Sequence, residues 1–194
     1  AAELLIVAYQ DSFFVHSDKY IASVRAGNVI GGGDWAANRI VPDCIKALEQ
    51  GRSIFVRNPD ATRPWQHVLE PLAGYLLLGQ KLLRGQEEFC GAWNFGPLHS
   101  NVVRVEELVQ KIITEYGQGK YETAKAGEKA RESHFLALDI TKAMTQLHWK
   151  PVLDLDETIR ATVQWYKNYN ADNIFDFCIE QINEYKQLCR TKNL

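Results

Sequence analysis

Arg57 and Arg63 bracket a short loop, Arg57-Asn58-Pro59-Asp60-Ala61-Thr62-Arg63-Pro64, and Trp65 and His67 stand just beyond it. Guanidinium forks bind phosphates bidentately and an indole face covers a base or sugar ring, so a diphosphate ligand suits this set. Arg39, at the start of a preceding helix, is a third cation. Surface arginines paired with nearby acids are equally ordinary, so this loop alone decides little. The second segment is Gly27-Asn28-Val29-Ile30-Gly31-Gly32-Gly33-Asp34-Trp35. Its glycines let backbone approach a ligand, with the side chains of Asn28 and Trp35 projecting toward it; a plain turn is the alternative. Gly31-x-Gly33-x-x-Ala36 is a relaxed match to the dinucleotide fingerprint. Asp34 and Trp35 argue against it, since neither suits a turn that brings backbone against pyrophosphate, and no acidic residue ends the next strand.

Other chemistries lose support. Tyr116 with Lys120 and Tyr121 with Lys125 have the spacing that puts a phenol and an ammonium on one helical face, but Gly117 and Gly119 break any helix there. The five histidines, at 16, 67, 99, 134 and 148, show no H-E-x-x-H spacing, and no serine sits in a G-x-S-x-G elbow. His134, ahead of a strand candidate at 135–138, either faces a ligand or caps a loop. No metal site is expected.

The elements that must position these loops alternate. Strands are expected at 20–26, 53–56, 92–95 and 135–138, and helices at 39–50, 72–83, 105–116, 141–147 and 155–169, the last started by Asp154 or Asp156. Residues 27–35 and 57–64 read as loops. An amphipathic pattern from Ile174 to Tyr185 predicts a terminal helix docked on the body. The order predicts an α/β fold with ligands at loops beyond the carboxyl ends of the strands. Residues 1–9 form helix without a start signal, which predicts a helix entered midway and a truncated or fragmentary chain.

With 194 residues, 46% of them apolar, there is enough for one good core or two small ones. The 22 Lys+Arg balance 24 Asp+Glu to a net charge of −2, so no basic field favours nucleic acid. No apolar run approaches the roughly 20 residues of a membrane span, and no signal-peptide order appears. Cys44, Cys90, Cys178 and Cys189 are too scattered for a disulfide framework, which predicts reduced thiols and a cytoplasmic protein.

Val24-Arg25-Ala26-Gly27-Asn28-Val29-Ile30-Gly31-Gly32-Gly33-Asp34-Trp35, then Arg57-Asn58-Pro59, then Arg63-Pro64-Trp65-Gln66-His67-Val68-Leu69-Glu70-Pro71 closely resemble the CDP-glucose 4,6-dehydratases, extended short-chain dehydrogenase/reductases. Trp93-Asn94-Phe95-Gly96-Pro97 and the segment from Leu138-Asp139 to Leu147-x-Trp149 resemble them too. The resemblance implies the C-terminal part of a Rossmann-like fold with a smaller mixed α/β substrate domain. Residues 1–30 and 65–97 would be late elements of the dinucleotide-binding sheet, and 31–64 and 98–194 the nucleotide-sugar domain. It implies CDP-glucose or a related nucleotide sugar as ligand, NAD as cofactor and a homo-oligomer. In the family, NAD takes hydride from sugar C4, water leaves across C5 and C6, and the hydride returns to C6. Asn28 would contact the sugar or its phosphates beside the nicotinamide, with Ala26 also near the cofactor, and Arg63 would bind the diphosphate. Arg39, Arg57, Trp65 and His67 would be further substrate contacts. The family's Tyr-x-x-x-Lys is followed at once by an Ala-Glu-Leu stretch like the one opening here. By resemblance, then, the chain starts after the catalytic lysine, has no catalytic residue of its own, and neither holds NAD nor dehydrates the sugar alone.

Overall fold

The computed structural model describes residues 2–15, 17–123 and 136–192. Helix α1 (Ala2–Tyr9) runs into a wider π-helical turn, Gln10–Phe14, and buries none of its side chains. The chain then enters β1 (Ala22–Ala26), which pairs in parallel with β5 (Gly91–Phe95). Gly27 is the crossing point between two sheets. Its amide still donates to Phe95 O at 3.2 Å, and a Cβ there would lie 3.1 Å from Pro64 O, tighter than side chains ordinarily pack. Past it, β2 (Asn28–Ile30) pairs in parallel with β4 (Thr62–His67), and β6 (Val102–Arg104) pairs antiparallel on the other side of β4. A third sheet joins β3 (Ile54–Val56) to β7 (Tyr121–Thr123) in parallel.

The strand at Asn28–Ile30 and the strand from Thr62 correct the expectation that both stretches are loops. Glycines and Pro64 mask them. Proline has no amide proton for a ladder, yet β4 is bonded to β6 along 62–64 and to β2 along 65–67, so each half has one neighbour. Residues 136–138 belong to no ladder, while Phe135, His134, Lys125 and His16 lie outside the described residues.

The helices follow the expected pattern: α2 (Ile40–Glu49), α3 (Leu69–Leu83), α4 (Val105–Tyr116), α5 (Thr141–Thr145), α6 (Leu155–Asn168) and α7 (Ile174–Thr191). The largest core gathers α2, α4 and α6 around Ile45, Ile54, Trp65, Leu108, Val163 and Tyr166. A second core packs α3 and α5 on β5 through Leu78, Trp93, Phe95, Ala143 and Trp149.

A buried carboxylate ties the last part of the chain down. Glu70, 1% exposed, accepts from the amides of Val152 (2.8 Å) and Leu153 (2.6 Å) on Oε1 and from the Tyr185 hydroxyl (2.8 Å) on Oε2. One acidic side chain thereby fixes the turn before α6 and the body of α7, which is how an otherwise costly buried carboxylate is accommodated.

Candidate functional site

A cleft of about 530 Å³ lies along β2, β3 and β4, lined by side chains of those strands and by the start of α2, in the size range of small-molecule sites. Asn28, Arg39, Arg57, Arg63 and Trp65 all line it. The ladder explains the convergence. Side chains alternate across a strand, so Arg63 and Trp65 share one face of β4, and the parallel register sets Asn28 directly beside Trp65. The opposite face carries Pro64, against Gly27, and Gln66, whose amide donates to Phe95 O at 2.9 Å and locks the two sheets together.

Three guanidinium groups therefore share the cleft with two acids, Asp34 and Asp43. Arg39 pairs with Asp34 at 3.0 Å, Arg57 donates to Asn38 O at 3.3 Å and Arg63 to Thr62 O at 2.9 Å. Burial works upward on the Asp34 carboxyl, but hydrogen bonds from the Ala36 amide and Arg39, with the charges of Arg39 and Lys46, outweigh it and hold the group below the ordinary carboxylate range. Trp65 is 3% exposed, and its buried indole N–H has no acceptor among the described residues, an arrangement that is costly and rare in folded proteins.

Two expected residues lie elsewhere. His67 continues the same face of β4 but is 2% exposed beneath the backbone of Gly31, and it borders a second cavity, about 370 Å³, between α6 and α7. Its Nδ1 accepts from the Leu69 amide at 3.4 Å, and burial lowers its pKa to about 4, so it is a neutral, packed histidine and not a cleft contact. Trp35 turns away from the cleft into an aromatic group with Tyr166 and Tyr169. Ala26 ends β1, one residue before the cleft begins.

The glycine loop serves packing. A Cβ on Gly31 would stand 2.7 Å from Val68 Cγ1, and one on Gly32 would fall 1.9 Å from Trp165 Cδ2. Close packing against Val68 and Trp165 is thus what requires glycine at 31 and 32, and Asp34, a carboxylate, suits no pyrophosphate cradle. Among the described residues no cluster of His, Cys, Asp or Glu suits a metal ion.

Sequence reasoning passed over Phe55 and Tyr166. Ile54 and Val56 are buried while Phe55 between them is 54% exposed at the cleft, an aromatic on the outward face of a strand, and that alternation was readable. Tyr166 reads as plain helix core, and only the fold shows its hydroxyl at the cleft wall.

No protein-family model matches the chain. It is 42% identical over 190 residues to the CDP-glucose 4,6-dehydratase of Salmonella typhimurium, a match covering 95% of this chain and 53% of that protein. The chain thus spans about half the length of the curated relative it matches. Its fold is shared with a dTDP-glucose 4,6-dehydratase from Bacillus anthracis in complex with NAD (TM-score 0.64, 20% identity, 86% of this chain and 50% of that one). It is shared too with a UDP-glucuronic acid 4-epimerase from Bacillus cereus in complex with UDP-glucuronic acid and NAD (TM-score 0.65, 18% identity, 86% and 50%). The likeness to CDP-glucose 4,6-dehydratase read from the motifs holds across nearly the whole chain, and the α/β architecture is the fold of those dehydratase and epimerase structures.

Proposed function

We propose that this chain is the part of a CDP-glucose 4,6-dehydratase that grips the nucleotide sugar. The observation that carries the reading is the meeting of Asn28, Arg39, Arg57, Arg63 and Trp65 in one cleft of suitable size. Arg63, with Arg57 and Arg39 around it, neutralises the diphosphate. Trp65 packs beneath it, Asn28 holds the sugar end nearest β1, and Phe55 offers a ring face for the base. Residues 31–64 and 98–194 form the nucleotide-sugar unit and residues 1–30 and 65–97 the cofactor side; α2, α4 and α6, which carry the largest core, all fall in the first. NAD is the cofactor expected of the whole enzyme. The work assigned to this chain is chiefly binding and orienting the substrate. A cytoplasmic setting agrees with four free cysteines, and self-association with the exposed Leu4, Leu5, Leu76 and Leu83 of α1 and α3.

Isothermal titration with CDP-glucose tests the reading. The wild-type chain gives saturable heat, and Arg63→Ala, which removes a charge-assisted contact of about 1.5–3 kcal/mol, weakens binding by roughly ten- to a hundredfold. Equal affinities for the two proteins, or no binding by a folded wild-type chain, would refute it.

A further inference from the structure

Helix α6 reaches the cleft through aromatic side chains. The Tyr166 hydroxyl donates to Asp34 O at 2.6 Å. Trp35 sits edge-on to Tyr166 and Tyr169, with ring centroids 5.1 and 4.8 Å away, and Trp165 fills the space that a side chain on Gly32 would need. Residues 32–35 are therefore clamped against one helix. Within the clamped segment, the Asp34 carboxylate accepts from the Ala36 amide at 3.0 Å and holds Arg39 at 3.0 Å. The Arg39 side chain is 67% exposed. An exposed pair of this kind contributes only about 0–1 kcal/mol, so it does not fix its own geometry. What fixes it is the backbone that carries Asp34. An arginine ordered before its ligand arrives loses less rotamer freedom on binding, and the affinity rises accordingly.

We propose that Tyr166 is a positioning residue for the cleft: by anchoring the Asp34 carbonyl it holds the Asp34–Arg39 pair in place and presets Arg39 for an anionic ligand. The ligand named in the test, CDP-glucose, rests on the function proposed above. Tyr166→Phe keeps the ring and deletes only the anchoring hydrogen bond. Titration calorimetry is run on wild type, Tyr166→Phe, Arg39→Ala and the double variant. Loss of the anchor weakens CDP-glucose binding about three- to tenfold in wild type and less than twofold when Arg39 is already absent, because the effect passes through that side chain. The same loss in both backgrounds, or none in either, overturns the proposal while leaving the cleft's function intact. Failure of wild type to bind would instead refute the functional reading. A measurement without nucleotide then decides the positioning role: carboxyl titration of Asp34 by NMR shifts upward in Tyr166→Phe if the pair has loosened, and an unmoved titration overturns the proposal.

Discussion

Replacing Glu70 by alanine removes the acceptor of two backbone amides and one phenol at a site 1% exposed. Each buried donor left unpaired costs about 1–3 kcal/mol, and water entering the vacated space recovers part of it, so the expected loss is roughly 3–5 kcal/mol. Glu70→Gln separates hydrogen bonding from charge. Both amides bind the same oxygen, Oε1, which the glutamine retains, while its NH2 group meets a Tyr185 hydroxyl able to accept instead. The glutamine variant is therefore expected within about 1 kcal/mol of wild type. Burial raises the Glu70 carboxyl above its ordinary 4.5, against the opposing pull of the Leu153, Tyr185 and Val152 hydrogen bonds and of Lys192. A raised carboxyl contributes stability that is fully present below 4.5 and lost as pH rises through the folded value. Wild type should lose stability over that interval and Glu70→Gln should not. Urea unfolding of the three proteins at pH 4 and pH 8 measures all of this. An alanine variant as stable as wild type, or a glutamine variant as damaged as the alanine one, would show that Glu70 does not anchor the chain through these hydrogen bonds.

His67 tests burial independently. Its pKa is lowered from 6.5 to about 4, so its contribution is complete above pH 6.5 and is lost as pH falls through about 4; an imidazole NMR signal titrating near 6.5 would contradict that placement. Gly32→Ala forces a methyl group into Trp165 and is expected to cost about 1–3 kcal/mol of unfolding free energy. Adding Trp165→Leu relieves the collision, so the double variant should be less damaged than the two single losses added together; strict additivity would show that no collision existed.

The parts of the fold written in local pattern were legible. Val105–Tyr116 spans the expected helix to the residue, because Glu106 and Glu107 suit its first turn and Gly117, at φ 96°, takes the left-handed conformation that ends it. Asp154, not Asp156, starts α6, in a reciprocal capping box with Glu157. The strands that were missed, at 28–30, 62–67, 102–104 and 121–123, are short or carry glycine and proline, and they owe their form to partners distant in the chain. The same holds at the site. The arginines, Asn28 and Trp65 stood out by type, but which of them share a face depended on the register of β2 against β4. His67 looked equivalent to Trp65 two residues away, and only the Gly31 backbone lying over it separates a packed imidazole from a cleft contact. Glu70 gave no signal, since its partners come from residues 152, 153 and 185.

The cleft walled by β2, β4 and α6 is the nucleotide-sugar site proposed for this chain. Adding CDP-glucose to isotope-labelled protein and following the backbone, arginine and indole N–H signals by NMR tests it most directly. The largest shifts are expected at Asn28, Arg57, Arg63 and Trp65, with His67 and the cavity between α6 and α7 unmoved. Shifts centred on that second cavity, with the Trp65 signal unchanged at saturation, would contradict it.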